Sequence, residues 1–96
     1  QTWADIRQRL TGMRFAVYHA LRRHGPGTTR EIAERSGIDL LTLRPRITEL
    51  YQMGLAELVD RPGHEGHYRA VPLDVAESNF RAAERDQRNA TQLPLF

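Results

Sequence analysis

The chain has 96 residues, of which 40% are hydrophobic and 27% charged, and a formal net charge of +2. These values are typical of one small globular domain. The absence of cysteine excludes disulfides, thiol catalysis and cysteine-ligated zinc and predicts a protein of the reducing cytoplasm, and no apolar run approaches the roughly 20 residues of a membrane span.

The positive charge is concentrated near the N-terminus. All 14 basic residues are arginine. Residues 1–27 carry five arginines against one acidic residue, whereas residues 28–54 carry four of each. This distribution is weakly in favour of a polyanionic partner such as double-stranded DNA.

Two helices are predicted before residue 25. Thr2 and Asp5 have the spacing of a capping box that opens the first helix. Thr11 is the predicted N-cap of the second, and residues 25–27, Gly-Pro-Gly, end it. The predicted apolar stripe of the second helix follows the spacing i, i+3, i+4, i+7, i+8 and consists of Met13, Ala16, Val17, Ala20 and Leu21.

The next segment predicts a helix-turn-helix. Thr28 and Glu31 form a second capping box, residues 36–37 (Ser-Gly) make a tight turn, Asp39 caps the next helix, and Gly54 ends it. Two helices of about 8 and 14 residues joined by a glycine turn are typical of this motif. The predicted core positions are Ile32, Ala33, Leu43, Ile47 and Leu50.

Two strands and a last helix follow. Residues 55–60 and 67–71 predict strands joined by a polar, glycine-rich loop at 61–66. Asp74 is the predicted cap of the last helix, with an apolar side of Ala76, Phe80 and Ala83. Pro94 argues against helix after residue 90, so we predict a domain over 1–90 and a flexible C-terminal peptide over 91–96.

The order helix, helix, turn, helix, two strands resembles the winged helix-turn-helix superfamily over about residues 11–72. The densest similarity lies in residues 28–38, 43–50 and 54–55, and it is to small phage and bacterial proteins. The resemblance implies a mainly α protein with a small β-hairpin (α+β), with extra helices at both ends. It also implies that the second helix of the helix-turn-helix enters the major groove of DNA.

The predicted DNA contacts follow from that docking. Arg44 on the second helix of the helix-turn-helix suits a bidentate guanine contact, while Thr42 and Thr48 suit phosphate or a thymine methyl group. Arg30 and the helix N-terminus after Thr28 suit a phosphate. The full predicted set is Thr28, Arg30, Leu41, Thr42, Arg44, Pro45, Thr48, Arg61 and His64, with Arg61 and His64 on the wing loop.

Two features depart from a standard recognition helix. Pro45 is internal, and a proline there removes one hydrogen bond at a cost of about 3 kcal/mol in an ordinary helix and should kink or loosen the first turns. Leu40 and Leu41 are large apolar residues where polar base readers usually lie. Either this helix reads DNA shape and methyl groups, or its face binds another protein.

The last five residues, Gln92, Leu93, Pro94, Leu95 and Phe96, resemble the Gln-Leu-x-Leu-Phe motif with which bacterial replication and repair proteins bind the DNA polymerase III sliding clamp. The resemblance implies that Leu93, Leu95 and Phe96 enter an apolar groove of the clamp and that the Gln92 amide orients them. The alternative is a tail that packs on its own domain. Together with the winged helix, the motif predicts a phage or bacterial replication or repair accessory protein that binds both DNA and the clamp.

Two other functions stay open at this point. One is a dimeric winged-helix transcriptional repressor, and the other is a clamp-binding inhibitor of replication that needs no DNA. Some apolar side chains exceed the needs of one small core, and a homodimer could use them: Trp3, Ile6, Leu10, Phe15 and Tyr18, with Phe80 of the last helix as an equal candidate. The alternative is that the N-terminal helix packs across the domain and covers them.

Catalysis and metal binding find little support. No Ser–His–Asp arrangement or carboxylate pair is readable, so we expect no enzyme. His64 and His67 lack a second ligand cluster, so we expect no metal and no other cofactor.

Overall fold

The computed structural model describes residues 2–59 and 66–92, with side chains as far as Gln87. Within these ranges the chain forms five helices and one antiparallel hairpin. In chain order they are α1 (Trp3–Arg9), α2 (Gly12–His24), α3 (Thr29–Ser36), α4 (Leu40–Gln52), β1 (Ala56–Val59), β2 (His67–Ala70) and α5 (Leu73–Gln92).

The hairpin packs beside the helix-turn-helix. β1 and β2 pair with Ala56 opposite Ala70 and Val59 opposite His67. Gly27, just before α3, joins the sheet through a bridge to Tyr68, with N···O distances of 3.1 and 2.8 Å. The predicted class is therefore confirmed: a mainly helical α+β protein in which a hairpin follows a helix-turn-helix.

The core lies between α2, α3, α4 and the start of the hairpin. Every position predicted for the inner face of α4 is buried, and Ile32 of α3 is buried with them. Burial of such aliphatic side chains is the main source of stability in a small domain. The fully buried large side chains are Val17, Leu21, Ile32, Leu43, Ile47, Leu50 and Leu55.

Local capping explains where the helices begin and end. Both predicted capping boxes are present, with reciprocal bonds between Thr2 and Asp5 and between Thr28 and Glu31. α4 ends in a Schellman arrangement. In it the Leu55 N–H donates to the Leu50 carbonyl at 2.8 Å, and Gly54 adopts φ +79°.

The predicted inner face of α2 is partly wrong. Met13 and Ala16 are exposed, and Tyr18 is buried instead. Tyr18 donates its hydroxyl to the Val71 carbonyl at 2.7 Å, which satisfies its polar end inside the core. The inward face of α2 begins at the half-buried Arg14, whose guanidinium is paired with Glu49. Because arginine is polar, the spacing of apolar residues did not place position 14 on this face.

Three predicted features of the helix ends and faces also differ. Thr11 is the N-cap of α2, but its side chain makes no capping bond. Asp74 lies within the first turn of α5 rather than at its cap, because the Pro72 carbonyl already accepts the Ala76 N–H at 2.8 Å. Ala83 is exposed, since α5 has left the core by that turn.

Two predicted boundaries also shift. The first strand begins one residue later than predicted, since Leu55 forms a buried bend before β1. The second strand ends one residue earlier than predicted, since Val71 lies after the end of β2. α5 continues as far as Gln92, two residues beyond the predicted end of that helix.

Candidate nucleic-acid interface

The outer face of α4 presents the predicted recognition residues to solvent. Leu41, Thr42, Arg44, Pro45 and Thr48 are all exposed, and Leu41 is 77% exposed. Leu43, Ile47 and Leu50 face the core from the opposite side of the helix. The structure thus brings the predicted α4 residues together on one surface, which we call the α4 outer face (Leu41, Thr42, Arg44, Pro45 and Thr48).

α4 remains helical through Pro45. The helix runs without interruption from Leu40 to Gln52. Asp39 begins it by accepting the Leu41 N–H at 3.1 Å, and the Thr48 hydroxyl donates to the Arg44 carbonyl at 3.3 Å. Packing of the inner face against the core offsets the hydrogen bond that Pro45 removes.

An open groove runs between the α4 outer face and the start of β2. Arg44, Pro45 and Thr48 form one wall. Thr29 of α3, Gly66 and Tyr68 form the other, and Ile47 lies at its floor. Thr29, Gly66 and Tyr68 were not predicted, since no local pattern shows that three separate elements meet here.

The N-terminus of α3 is already occupied by its own side chains. Thr28 Oγ1 accepts the Glu31 N–H at 3.1 Å, and the Thr28 N–H donates to the Glu31 carboxylate at 2.9 Å. The backbone N–H of Thr28 holds the pKa of Glu31 below its ordinary value. A phosphate at this helix end would therefore meet a carboxylate, while the neighbouring Arg30 side chain is exposed.

Glu31 also links α3 to the hairpin. Its carboxylate lies 3.5 Å from His67 Nε2 and 3.3 Å from Arg35. Arg35 in turn donates to the His24 carbonyl at 2.9 Å, which satisfies the C-terminal end of α2. These contacts hold α3 and β2 in fixed positions beside the α4 outer face.

Arg44 and Arg46 have different environments although they lie two residues apart. Arg46 is 2.8 Å from Glu49, which also binds Arg14 at 2.8 Å and so ties α4 to α2. Within the described residues, Arg44 and Arg30 make no ion pair. Their charges therefore face solvent, as a phosphate or base contact requires.

Some predicted residues lie outside the described ranges. Arg61 and His64 of the loop are among them, as are Leu93, Leu95 and Phe96 of the C-terminal motif. Gln92 is the last residue of α5, and its side chain is likewise not described. Within the described part of the chain, no group of three or more His, Asp or Glu residues has the arrangement of a metal site.

The terminal helices meet at one edge of the domain. Trp3 of α1 and Phe80 of α5 have ring centroids 6.1 Å apart. Ile6 and Leu10 are buried, so α1 covers part of the core. Among the sequence candidates for a dimer contact, Phe15 of α2 is 52% exposed.

No protein-family model and no curated protein matches this chain. Among solved structures, it is similar to a Staphylococcus aureus MarR in complex with salicylate and kanamycin. Identity is 14%, the TM-score is 0.59, and the match covers 92% of this chain and 63% of that one. It is also similar to the transcriptional regulator PA3341, at 25% identity and a TM-score of 0.52, over 98% of this chain and 76% of that one.

These likenesses support the winged-helix fold. The chain spans about 63% of the length of the MarR chain that it matches. None of the described helices is long and apolar enough to cross a membrane.

Proposed function

We propose that this chain is a DNA-binding transcriptional regulator that acts as a homodimer, with repression as its mode of action. The α4 outer face carries the proposal. On the second helix of a helix-turn-helix it combines exposed small and apolar side chains with Arg44, which makes no ion pair within the described residues. The two similar structures support it, one being a MarR and the other a transcriptional regulator.

The proposed docking inserts α4 into the major groove. The first turns of a recognition helix contact base edges, and in α4 these turns carry Leu41, Thr42 and Arg44. Arg30 then lies on the preceding helix, where phosphate contacts are usual. The hairpin follows α4 directly, and its Arg69 is paired with Glu57 at 2.7 Å.

Salt-dependent DNA binding tests this proposal. We expect Arg44→Ala to weaken binding to a cognate duplex by about 1–3 kcal/mol if it reads a guanine, and Arg30→Ala to lower the salt slope by about one unit. Fluorescence anisotropy over a salt series measures both effects. Arg81→Ala is the matched control, because it removes an exposed positive charge from α5.

A DNA affinity that changes neither with salt concentration nor with either substitution would contradict the proposal. So would an equal loss of affinity in Arg81→Ala, since that result would reflect net charge alone.

The dimer is proposed to form through the terminal helices α1 and α5 together with Phe15 of α2. Trp3 and Phe80 are only partly buried where they pack against the core, and Phe15 is exposed. Two copies would then present two α4 helices to successive half-sites of a palindrome. Sedimentation equilibrium should give twice the 11.1 kDa chain mass, and Phe15→Ser should shift the protein towards monomer.

A second candidate function is that of an accessory factor of bacterial or phage replication or repair. Its support is the sequence Gln92-Leu93-Pro94-Leu95-Phe96, which has the residues of a sliding-clamp motif at every defining position. Joining a DNA site and a clamp site in one chain would raise the effective concentration of each for the other.

Calorimetric titration with purified bacterial sliding clamp tests the second candidate. We expect the full chain to bind and the double variant Leu95→Ala/Phe96→Ala to lose binding. Val75→Ala, which trims an exposed apolar residue elsewhere, is the control and should bind as the natural chain does.

Two further results separate the candidates. A footprint on its own promoter that is unchanged when residues 92–96 are removed would favour the repressor. Activity that survives Arg44→Ala but is lost in Phe96→Ala would favour a clamp inhibitor that needs no DNA.

A further inference from the structure

The α4 outer face is unusually apolar for a surface that reads DNA. Leu41, Arg44, Pro45 and Thr48 follow the spacing i, i+3, i+4, i+7 and therefore form one stripe along the helix. Leu41 is 77% exposed, whereas the other exposed large hydrophobic residues of the described chain range from 44% to 52%.

Most polar groups near this stripe are already used within the protein. The Leu41 N–H donates to Asp39, and the Thr48 hydroxyl donates to the Arg44 carbonyl. Pro45 has no N–H to offer. Arg44 is therefore the main hydrogen-bond donor of the stripe, and the remaining contact surface is hydrocarbon.

We propose that α4 recognises the 5-methyl groups of thymines through Leu41, next to a guanine read by Arg44. This inference rests on the proposed DNA binding. The thymine methyl is the apolar group that base pairs present in the major groove, so it is the feature that a leucine side chain can distinguish. Pro45 lies one turn further along and extends the same apolar surface.

The surrounding charge favours DNA over a protein partner for this surface. Arg44 and Arg30 lack ion pairs among the described residues, and the groove beside Arg44 is open between α4 and the hairpin. A phosphate backbone beside the groove would complement the guanidinium group of Arg44.

Replacing thymine by deoxyuridine tests this inference, because it removes the methyl and leaves base pairing intact. The probe is a duplex selected from a random pool by the full chain and then resynthesised with deoxyuridine at each selected thymine. We expect the natural chain to lose about fourfold in affinity for each contacted methyl, equivalent to about 0.8 kcal/mol.

Leu41→Ala is expected to bind the thymine and deoxyuridine duplexes equally, with an affinity close to that of the natural chain for the deoxyuridine duplex. Met13→Ala trims an exposed apolar residue of α2 and should keep the full methyl preference. Circular dichroism confirms that each variant is folded.

The outcomes separate the inference from the function on which it rests. Failure to bind any duplex overturns both. Binding without selected thymines, or equal affinity of the natural chain for both duplexes, overturns methyl recognition and leaves DNA binding standing. An unchanged methyl preference in Leu41→Ala overturns the assignment of that recognition to Leu41.

Discussion

The helix-turn-helix and the last helix are both amphipathic, yet they are stabilised in different ways. In α3 and α4, capping groups occupy both ends, and Leu43, Ile47 and Leu50 are fully buried. In α5, Ala76 is the one residue with a buried side chain among those described, and Phe80 is half-buried. From Arg81 to Gln87 the described side chains are exposed apart from the half-buried Ala82.

This difference separates helices held by tertiary packing from helical turns held by local contacts. The outer turns of α5 rely on pairs such as Glu77 and Arg81, 2.9 Å apart. Such i, i+4 pairs contribute only about 0.2–0.5 kcal/mol each. Substitutions in the two regions should therefore differ in their effects on the free energy of unfolding.

The largest expected effect is in α4. Leu50→Ala should lower the free energy of unfolding by about 2–5 kcal/mol, because it leaves a cavity in a fully buried site. Leu41→Ala, the same change on the exposed face, should alter it by less than about 0.5 kcal/mol. Urea denaturation measures both, and similar losses would mean that α4 buries its two faces alike.

A smaller loss is expected where α5 joins the core. Phe80→Ala should cost about 2 kcal/mol, roughly half of the cost for a fully buried phenylalanine, since the ring is half-buried against Trp3. Val75→Ala, on the exposed side of the same helix, is the comparison. Thermal unfolding at several protein concentrations separates this loss from any effect on a dimer.

The third prediction compares two threonine N-caps. Thr28→Ala should cost about 1 kcal/mol, because it removes the bond to the Glu31 N–H. Thr11→Ala should cost only a few tenths of a kcal/mol, since the Thr11 side chain makes no capping bond. Equal losses of unfolding free energy in urea denaturation would show that the intrinsic N-cap preference of threonine sets the cost, rather than the observed bond from the Glu31 N–H to Thr28.

The smallest expected effect is on the pH dependence of stability. The Thr28 N–H lowers the pKa of Glu31 in the folded state below its ordinary value of 4.5. The stabilisation by Glu31 is therefore present above that value and is lost as pH falls through the folded pKa. Urea midpoints between pH 7 and pH 3 should fall more for the natural chain than for Glu31→Gln, and parallel curves would contradict this reading.

Local sequence patterns were sufficient for most of the fold. The capping boxes at Thr2 and Thr28, the turn at Gly37 and the inner face of α4 were all predicted, because each depends on residues within one or two turns. The same rules located the exposed residues of the α4 outer face. Whether those residues contact DNA stays a prediction.

The sequence by itself determined the order of the helices and the hairpin, since caps, glycines and apolar spacing act over a few residues. Only the tertiary structure decided which side of α2 is buried, that Glu31 approaches His67, and that Tyr68 and Thr29 line the groove beside Arg44. These features join residues far apart in the chain. They depend on how the elements pack and on how each buried polar group finds a partner, which no local pattern records.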